Sequence, residues 1–285
     1  MIDQAQKLRQ LASTNAMKST KPRIITITSG KGGVGKSNIV VNTSIMLQKL
    51  GKKVLLFDAD IGMGNDDVLM GFLPKYNVFD IIFNNKTIDE VMIKGPYGVS
   101  LVPAGSGLNR IENLSKKRRE EFINKLSDLE NFDYILMDTG AGISRDVLGF
   151  ISCCDDLIMV TTPEPTSLTD AYSLLKAVNH FNLKNKAKVI INRALDQKEA
   201  NITFNKLNNA VSKFLKVEME YLGMVSEDKK LVQSVRAQEP FVISYPNCDA
   251  AKDIEKIAVK LIGDGNNTSG LGIQGLFKRI FSIFS

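Results

Sequence analysis

The stretch Gly30-Lys31-Gly32-Gly33-Val34-Gly35-Lys36-Ser37 decides the fold. It fits G-x-x-x-x-G-K-[ST] and stands between an apolar run, Ile24 to Thr28, and a segment of helical periodicity. Phosphate oxygens need several donors converging from one side, and residues without side chains let backbone N–H groups turn inward that closely. Gly32, Gly33 and Gly35 supply that freedom. A helix beginning near Lys36 adds the positive end of its dipole. In this reading Gly30, Lys31, Val34 and their neighbours cradle the phosphates, Lys36 neutralises the terminal ones, and the Ser37 hydroxyl holds Mg²⁺.

Outward from that loop, short β-branched runs recur with helical patterns between them: Ile24 to Thr28, Val54 to Phe57, Val99 to Val102, Tyr134 to Met137, Leu157 to Val160 and Val189 to Ile191. Strands apolar on both faces and alternating with helices predict a mostly parallel sheet covered on each side, a three-layer α/β sandwich of the P-loop NTPase type. From Ser37 to Leu50 one helical face stays apolar through Ile39, Thr43, Met46, Leu47 and Leu50, and Gly51 is a natural stop.

Two strands run out into carboxylates. Tyr134 to Met137 ends at Asp138, placed to hold magnesium directly or through water, and Gly140 and Gly142 follow. Val54 to Phe57 ends at Asp58-Ala59-Asp60-Ile61-Gly62, and one of these carboxylates is placed to orient an attacking water. The strand Val189 to Ile191 ends in Asn192-Arg193-Ala194-Leu195. A guanine site of the usual kind needs Asn-Lys-x-Asp there, so adenine is favoured, with Asn192 as a contact to its N6 or N7.

Composition agrees with a globular chain: of 285 residues 44% are hydrophobic and 24% charged. Cys153, Cys154 and Cys248 are odd in number and form neither a disulfide framework nor a C-x-x-C site, which favours a reducing compartment. No run reaches the ~18 apolar residues of a membrane span, and no secretory leader is evident, so a cytoplasmic location is expected. The net charge of +6 is small for the length. The run Lys116-Lys117-Arg118-Arg119 precedes Glu120 and Glu121 and reads as a solvated helix face, which gives nucleic acid no part. His180 has no metal-binding companions.

The two ends differ from the middle. Residues 1 to 22 are polar with a short apolar stripe and end in a linker, and a second linker opens the segment from 263 to 285. The last fifteen residues place Ile273, Leu276, Phe277, Ile280, Phe281 and Phe284 on one helical side, with Lys278 and Arg279 on the other. That is the pattern of an interfacial membrane helix. The expected division is therefore an N-terminal segment at 1–22, a catalytic domain at 23–262 and a membrane-targeting tail at 263–285.

Taken together, these motifs resemble the MinD/ParA ATPases. Lys31-Gly32-Gly33-Val34-Gly35-Lys36-Ser37 is similar to their deviant Walker A motif, Asp58-Ala59-Asp60-Ile61-Gly62 to the first switch and Asp138-Thr139-Gly140-Ala141-Gly142 to the second, over about residues 22 to 262. The resemblance implies ATP hydrolysis with Mg²⁺ and a homodimer formed around two ATP molecules. It further implies that Lys31 reaches the partner's phosphates and that Asp60 activates water. Ile61-Gly62 stands where ParA proteins have Pro-Gln, which lowers the case for DNA partition. The opening Asp3-Gln4-Ala5, with Leu8 and Arg9, resembles the activator segment of the FlhG (FleN/YlxH) branch, the regulators of flagellar number. That implies stimulation of the GTPase FlhF, contact with flagellar switch (C-ring) proteins, and residence at the inner face of the membrane when ATP-bound. Division-site selection of the MinD type and DNA partition of the ParA type are the alternatives.

Overall fold

The computed structural model describes residues 21–60, 64–103, 105, 115–126, 129, 131–264 and 272–283. In chain order the strands are β1 (Arg23–Ser29), β2 (Val54–Ala59), β3 (Ile93–Lys94), β4 (Ser100–Pro103), β5 (Tyr134–Ala141), β6 (Asp156–Thr161), β7 (Lys186–Ala194) and β8 (Glu218–Ser226). The helices are α1 (Lys36–Lys49), α2 (Asp66–Leu69), α3 (Val78–Phe83), α4 (Ile88–Val91), α5 (Lys116–Lys125), α6 (Arg145–Cys153), α7 (Pro165–His180), α8 (Gln197–Phe214), α9 (Lys229–Arg236), α10 (Phe241–Ser244), α11 (Asp249–Gly263) and α12 (Gly272–Ile283).

The strands form one sheet in the order β3-β4-β2-β5-β1-β6-β7-β8. Every pairing is parallel except the short β3 with β4. Successive side chains of a strand point to opposite faces, and the two cores follow that alternation. Ile24, Leu55, Phe57, Ile135 and Met137 lie in one apolar cluster. Ile25, Val54, Leu56 and Leu136 lie in the other, beneath α1 and α11. Both faces are covered, as the uninterrupted apolar runs predict.

Two strands escape the sequence reading. β8, Glu-Met-Glu-Tyr-Leu-Gly-Met-Val-Ser, is an edge strand whose first four residues are only partly buried or exposed, so it shows no continuous apolar run. β3 is two residues long.

The final helix departs from expectation. Ile273, Leu276, Phe277, Ile280 and Phe281 are all buried in the first core cluster rather than presented to a bilayer. Phe277 stands edge-on to Phe57 and Phe122, with centroids 5.8 Å and 5.1 Å away, and Phe281 meets Phe122 at 5.6 Å. On the rim, the Arg119 guanidinium lies 5.8 Å above the Phe281 ring, and Arg279 donates to the Ser152 carbonyl at 3.1 Å. The pattern that marks an interfacial helix also marks a helix that closes an open core face, and here the domain supplies the apolar partner. Phe284 lies outside the described residues, as do Asp3, Gln4, Ala5, Leu8 and Arg9.

Candidate nucleotide site

Parallel strands carry the predicted side chains to one edge of the sheet. Asp58 of β2 is directly opposite Asp138 of β5, and β5 pairs β1 so that Ile27 lies beside Asp138. The loop from Gly30 to Gly35 therefore leaves β1 next to Asp138, with Asp58 one strand further along the same edge. Gly142 N–H donates to the Ser29 carbonyl at 2.9 Å and the Thr139 hydroxyl to the Ile27 carbonyl at 3.3 Å, holding the end of β5 against the base of the loop.

The glycines serve different purposes. Gly33 and Gly35 have φ of 79° and 87°, a region that side chains disfavour. A Cβ on Gly35 would also stand 2.3 Å from Asn192 Nδ2. Gly30 is required by close approach instead, since its Cβ would lie 2.2 Å from the Asp170 carbonyl carbon in α7. At Gly32 a Cβ would meet nothing within 4 Å, so the fold does not need glycine there and the space in front of it is open.

Lys36 and Lys31, five residues apart, point to different places. The Lys36 ammonium is buried and lies 2.6 Å from Asp138 Oδ1 and 3.4 Å from the Ser37 hydroxyl. Lys31 stands outside the loop, half-exposed, 3.3 Å from Glu164 Oε2 and 3.1 Å from the Thr166 hydroxyl. The loop thus has one cation inside and one outside. Glu164 and Thr166 carry no sequence signal, because they begin a helix remote in the chain.

The carboxylates are crowded. Burial, helped by the charge of Asp138, pushes Asp58 up to about 7. Asp58 accepts from the Asp60 N–H at 3.1 Å, and a Cβ on Gly64 would stand 2.4 Å from its Oδ2. Asp60 is half-buried, with Oδ1 3.4 Å from the position a Cβ would take on Gly140, so the two aspartate loops meet. Asp66, at the start of α2, was not foreseen. It is fully buried, and burial together with the charges of Asp138 and Asp58 drives its carboxyl well above the usual range.

Asn192 Nδ2 donates to the Val34 carbonyl at 2.6 Å, and Arg193 donates to the Gly33 carbonyl at 2.9 Å, so the end of β7 braces the loop from the other side. That bond uses one of the two amide N–H donors and fixes the side chain's orientation. Asn192 Oδ1 is buried and has no hydrogen-bond partner among the described residues. Beside it opens a cleft of ≈ 400 Å³ lined by Gly35, Asn38, Ile39, Asp228, Val232 and Arg236.

A family model described as an AAA domain matches residues 22–191. The antiactivator FleN of Pseudomonas aeruginosa is 35% identical over 240 residues, covering 84% of this chain and 86% of that protein. The flagellum site-determining protein YlxH of Helicobacter pylori is 33% identical, covering 98% of each. Among solved structures, the MinD cell division protein of Aquifex aeolicus superposes with a TM-score of 0.68 at 28% identity, over 85% of this chain and 98% of that one.

The chain belongs to the MinD/ParA family of ATPases.

Membership in the MinD/ParA family makes the chain an ATP-hydrolysing enzyme, and the strand ends just described are the edge at which open α/β sheets bind ligands. The residues present suit a magnesium nucleotide: the space before Gly32 is open, Lys36 supplies a cation, the Asp58 and Asp138 carboxylates stand opposite each other, and Asn192 Oδ1 is a buried acceptor with no donor among the described residues.

Proposed function

We propose that the chain is an ATP-driven dimerisation switch that regulates the number and placement of flagella. The observation that carries this reading is the separation of the two loop lysines, with Lys36 turned in to Asp138 and Lys31 turned out to Glu164. The inward lysine serves the nucleotide held by its own loop, with Ser37 and Asp138 as the magnesium ligands. The outward one is free to exchange Glu164 for the phosphates of a second copy, since a half-exposed pair contributes at most about 1 kcal/mol. Bound magnesium would neutralise phosphate charge and hold oxygen ligands in place. Asp60, at the meeting of the two aspartate loops, orients water, and Asn192 Oδ1 accepts from the adenine N6 amino group.

The names of the relatives support the flagellar role: one is a flagellum site-determining protein matched over 98% of both chains. In this reading the N-terminal segment, through Asp3, Gln4, Ala5, Leu8 and Arg9, stimulates FlhF, and flagellar switch proteins are further partners. Membrane residence requires α12 to leave its groove. In a monomer the exchange is uphill, because the helix trades one apolar surface for another while the groove it leaves, with Phe57 and Phe122, is exposed to water. Two helices on one ATP-held dimer add avidity that a single helix lacks.

A single comparison tests the proposal: size and FlhF GTPase stimulation for the whole chain and for residues 21–285, each with ATP and with ADP. The expected result is a dimer with ATP and a monomer with ADP for both chains, and stimulation by the whole chain only. Equal stimulation by both chains overturns the flagellar activator role and leaves division-site selection of the MinD type as the better reading. An association state indifferent to nucleotide overturns the switch.

A further inference from the structure

The run Lys116-Lys117-Arg118-Arg119, which the nucleotide chemistry does not use, forms the first turn of α5. That is the wrong end of a helix for cations, because its free N–H groups already carry partial positive charge, and the turn holds no acidic residue to offset them. Adjacent cations also repel one another. The fold returns little for this arrangement. Lys117 reaches Glu121 at 4.0 Å with both side chains exposed, a pair of small worth, and Lys116 and Arg118 pair with no carboxylate among the described residues. The side chains that α5 buries, Phe122 and Ile123, come in the following turn, so Lys116, Lys117 and Arg118 stand clear of the core.

The position of the run says what it fits. α5 walls the groove that holds α12, and Phe281 of α12 sits against both Phe122 and the Arg119 guanidinium. α12 turns its own cations, Lys278 and Arg279, outward and carries no acidic residue. Exposed cations on two neighbouring helices thus lie beside the one helix whose apolar side suits a bilayer. A nucleic acid or an acidic protein would use the cations alone, whereas an anionic bilayer uses both features. A single short amphipathic helix attaches weakly, and stable attachment takes a second signal such as a polybasic patch.

We infer that the first turn of α5 is a docking surface for anionic phospholipid headgroups, which holds the domain at the bilayer with the α12 groove turned toward it. The inference rests on the membrane reading of α12 above. Lys116, Lys117 and Arg118 are exposed while α12 is docked, so they make the first contact. The helix then leaves its groove next to the surface that receives it.

The test is partition of the whole chain, with ATP, onto vesicles of phosphatidylcholine with and without phosphatidylglycerol, at low and at physiological salt. One variant combines Lys116→Gln, Lys117→Gln and Arg118→Gln; Arg119 stays, because it touches Phe281. A second combines Lys198→Gln, Lys206→Gln and Lys213→Gln, exposed positions on α8 that lose the same charge beside β7 and β8, at the other end of the sheet. The expected result is binding to phosphatidylglycerol vesicles roughly 100-fold weaker in the α5 variant at low salt, with the α8 variant close to the parent. Added salt should weaken the parent and leave the residual binding of the α5 variant nearly unchanged. The α5 variant should also melt no lower than the parent, since it loses cations that the helix end disfavours. Binding equal to the parent's, an equal loss in the α8 variant, or a loss that comes with a lower melting temperature overturns the inference and leaves the membrane role of α12 standing. So does a loss confined to binding of duplex DNA, which would make nucleic acid the partner. A parent chain that binds neither kind of vesicle overturns the membrane reading itself.

Discussion

At the level of single residues, the site is built from contacts that allow little substitution. Gly35 must accept a left-handed backbone and leave room for the Asn192 amide, whereas Gly30 yields its side chain to the backbone of α7. Charge is arranged as tightly. Asp58 is held near 7 by burial and by Asp138, far above its value of 3.8 in an open chain. The folded state therefore binds more protons than the unfolded one between those values. Its contribution is least unfavourable below about pH 4, and stability declines as pH rises through about 7. We expect Asp58→Asn to abolish that decline in the metal-free protein, a difference of roughly 2–4 kcal/mol between the two chains at pH 8. Urea melts of both chains at pH 5 and pH 8 measure it, and parallel pH profiles would refute the assignment.

Among elements, α12 changes the reading of the chain most. Five apolar side chains, two of them, Phe277 and Phe281, in three ring contacts with Phe57 and Phe122, fasten it against β2, α5 and α6. Phe122 is on α5, in the wall of the groove, so altering it weakens docking without altering the helix that would enter a membrane. Phe122→Ala is expected to cost about 3–5 kcal/mol of stability. Sedimentation with anionic liposomes should then become strong in ADP as well as in ATP. If the variant is destabilised yet pellets no more than the parent in ADP, the docked helix is a permanent part of the core and the membrane reading fails. Elements also explain what the sequence reading passed over. β8 has the alternating pattern of a half-covered edge strand, and Asp66 follows a predicted carboxylate loop by several residues, with no motif to mark it.

For the whole molecule, the nucleotide edge is supported by a second charged layer at the opposite ends of the strands. Arg23 at the start of β1 donates to Asp156 of β6 at 2.6 Å and to the Leu261 carbonyl of α11 at 2.8 Å. Lys188 of β7 bridges Asp156 to Asp264, at the end of α11. Arg23 and Lys188 are buried while Asp264 is exposed, and the Arg23 guanidinium and Lys188 draw the Asp156 carboxyl below its usual range against the effect of burial. Arg23→Ala would leave Asp156 and the Leu261 carbonyl without that donor. We expect a loss of about 3–5 kcal/mol, with nucleotide affinity at the far edge unchanged. Thermal melting and ADP titration separate the two, and a loss of affinity equal to the loss of stability would show that the layers are coupled.

What the sequence determined by itself was local or periodic. A glycine loop between an apolar run and an amphipathic helix implies phosphate binding, because its chemistry is carried by consecutive residues, and apolar runs at regular spacing imply a covered parallel sheet. Asp58, Asp138 and Asn192 were legible because each follows directly on such a run. Only the tertiary structure decided the rest, since it depends on residues distant in the chain. Glu164 receives Lys31 across the end of the sheet, Asp66 is sealed beside Asp138, and α12 fills a groove of the domain. An amphipathic stripe specifies that a helix will bury one face, but not against what; that choice belongs to the shape and apolar area of whatever surface is within reach.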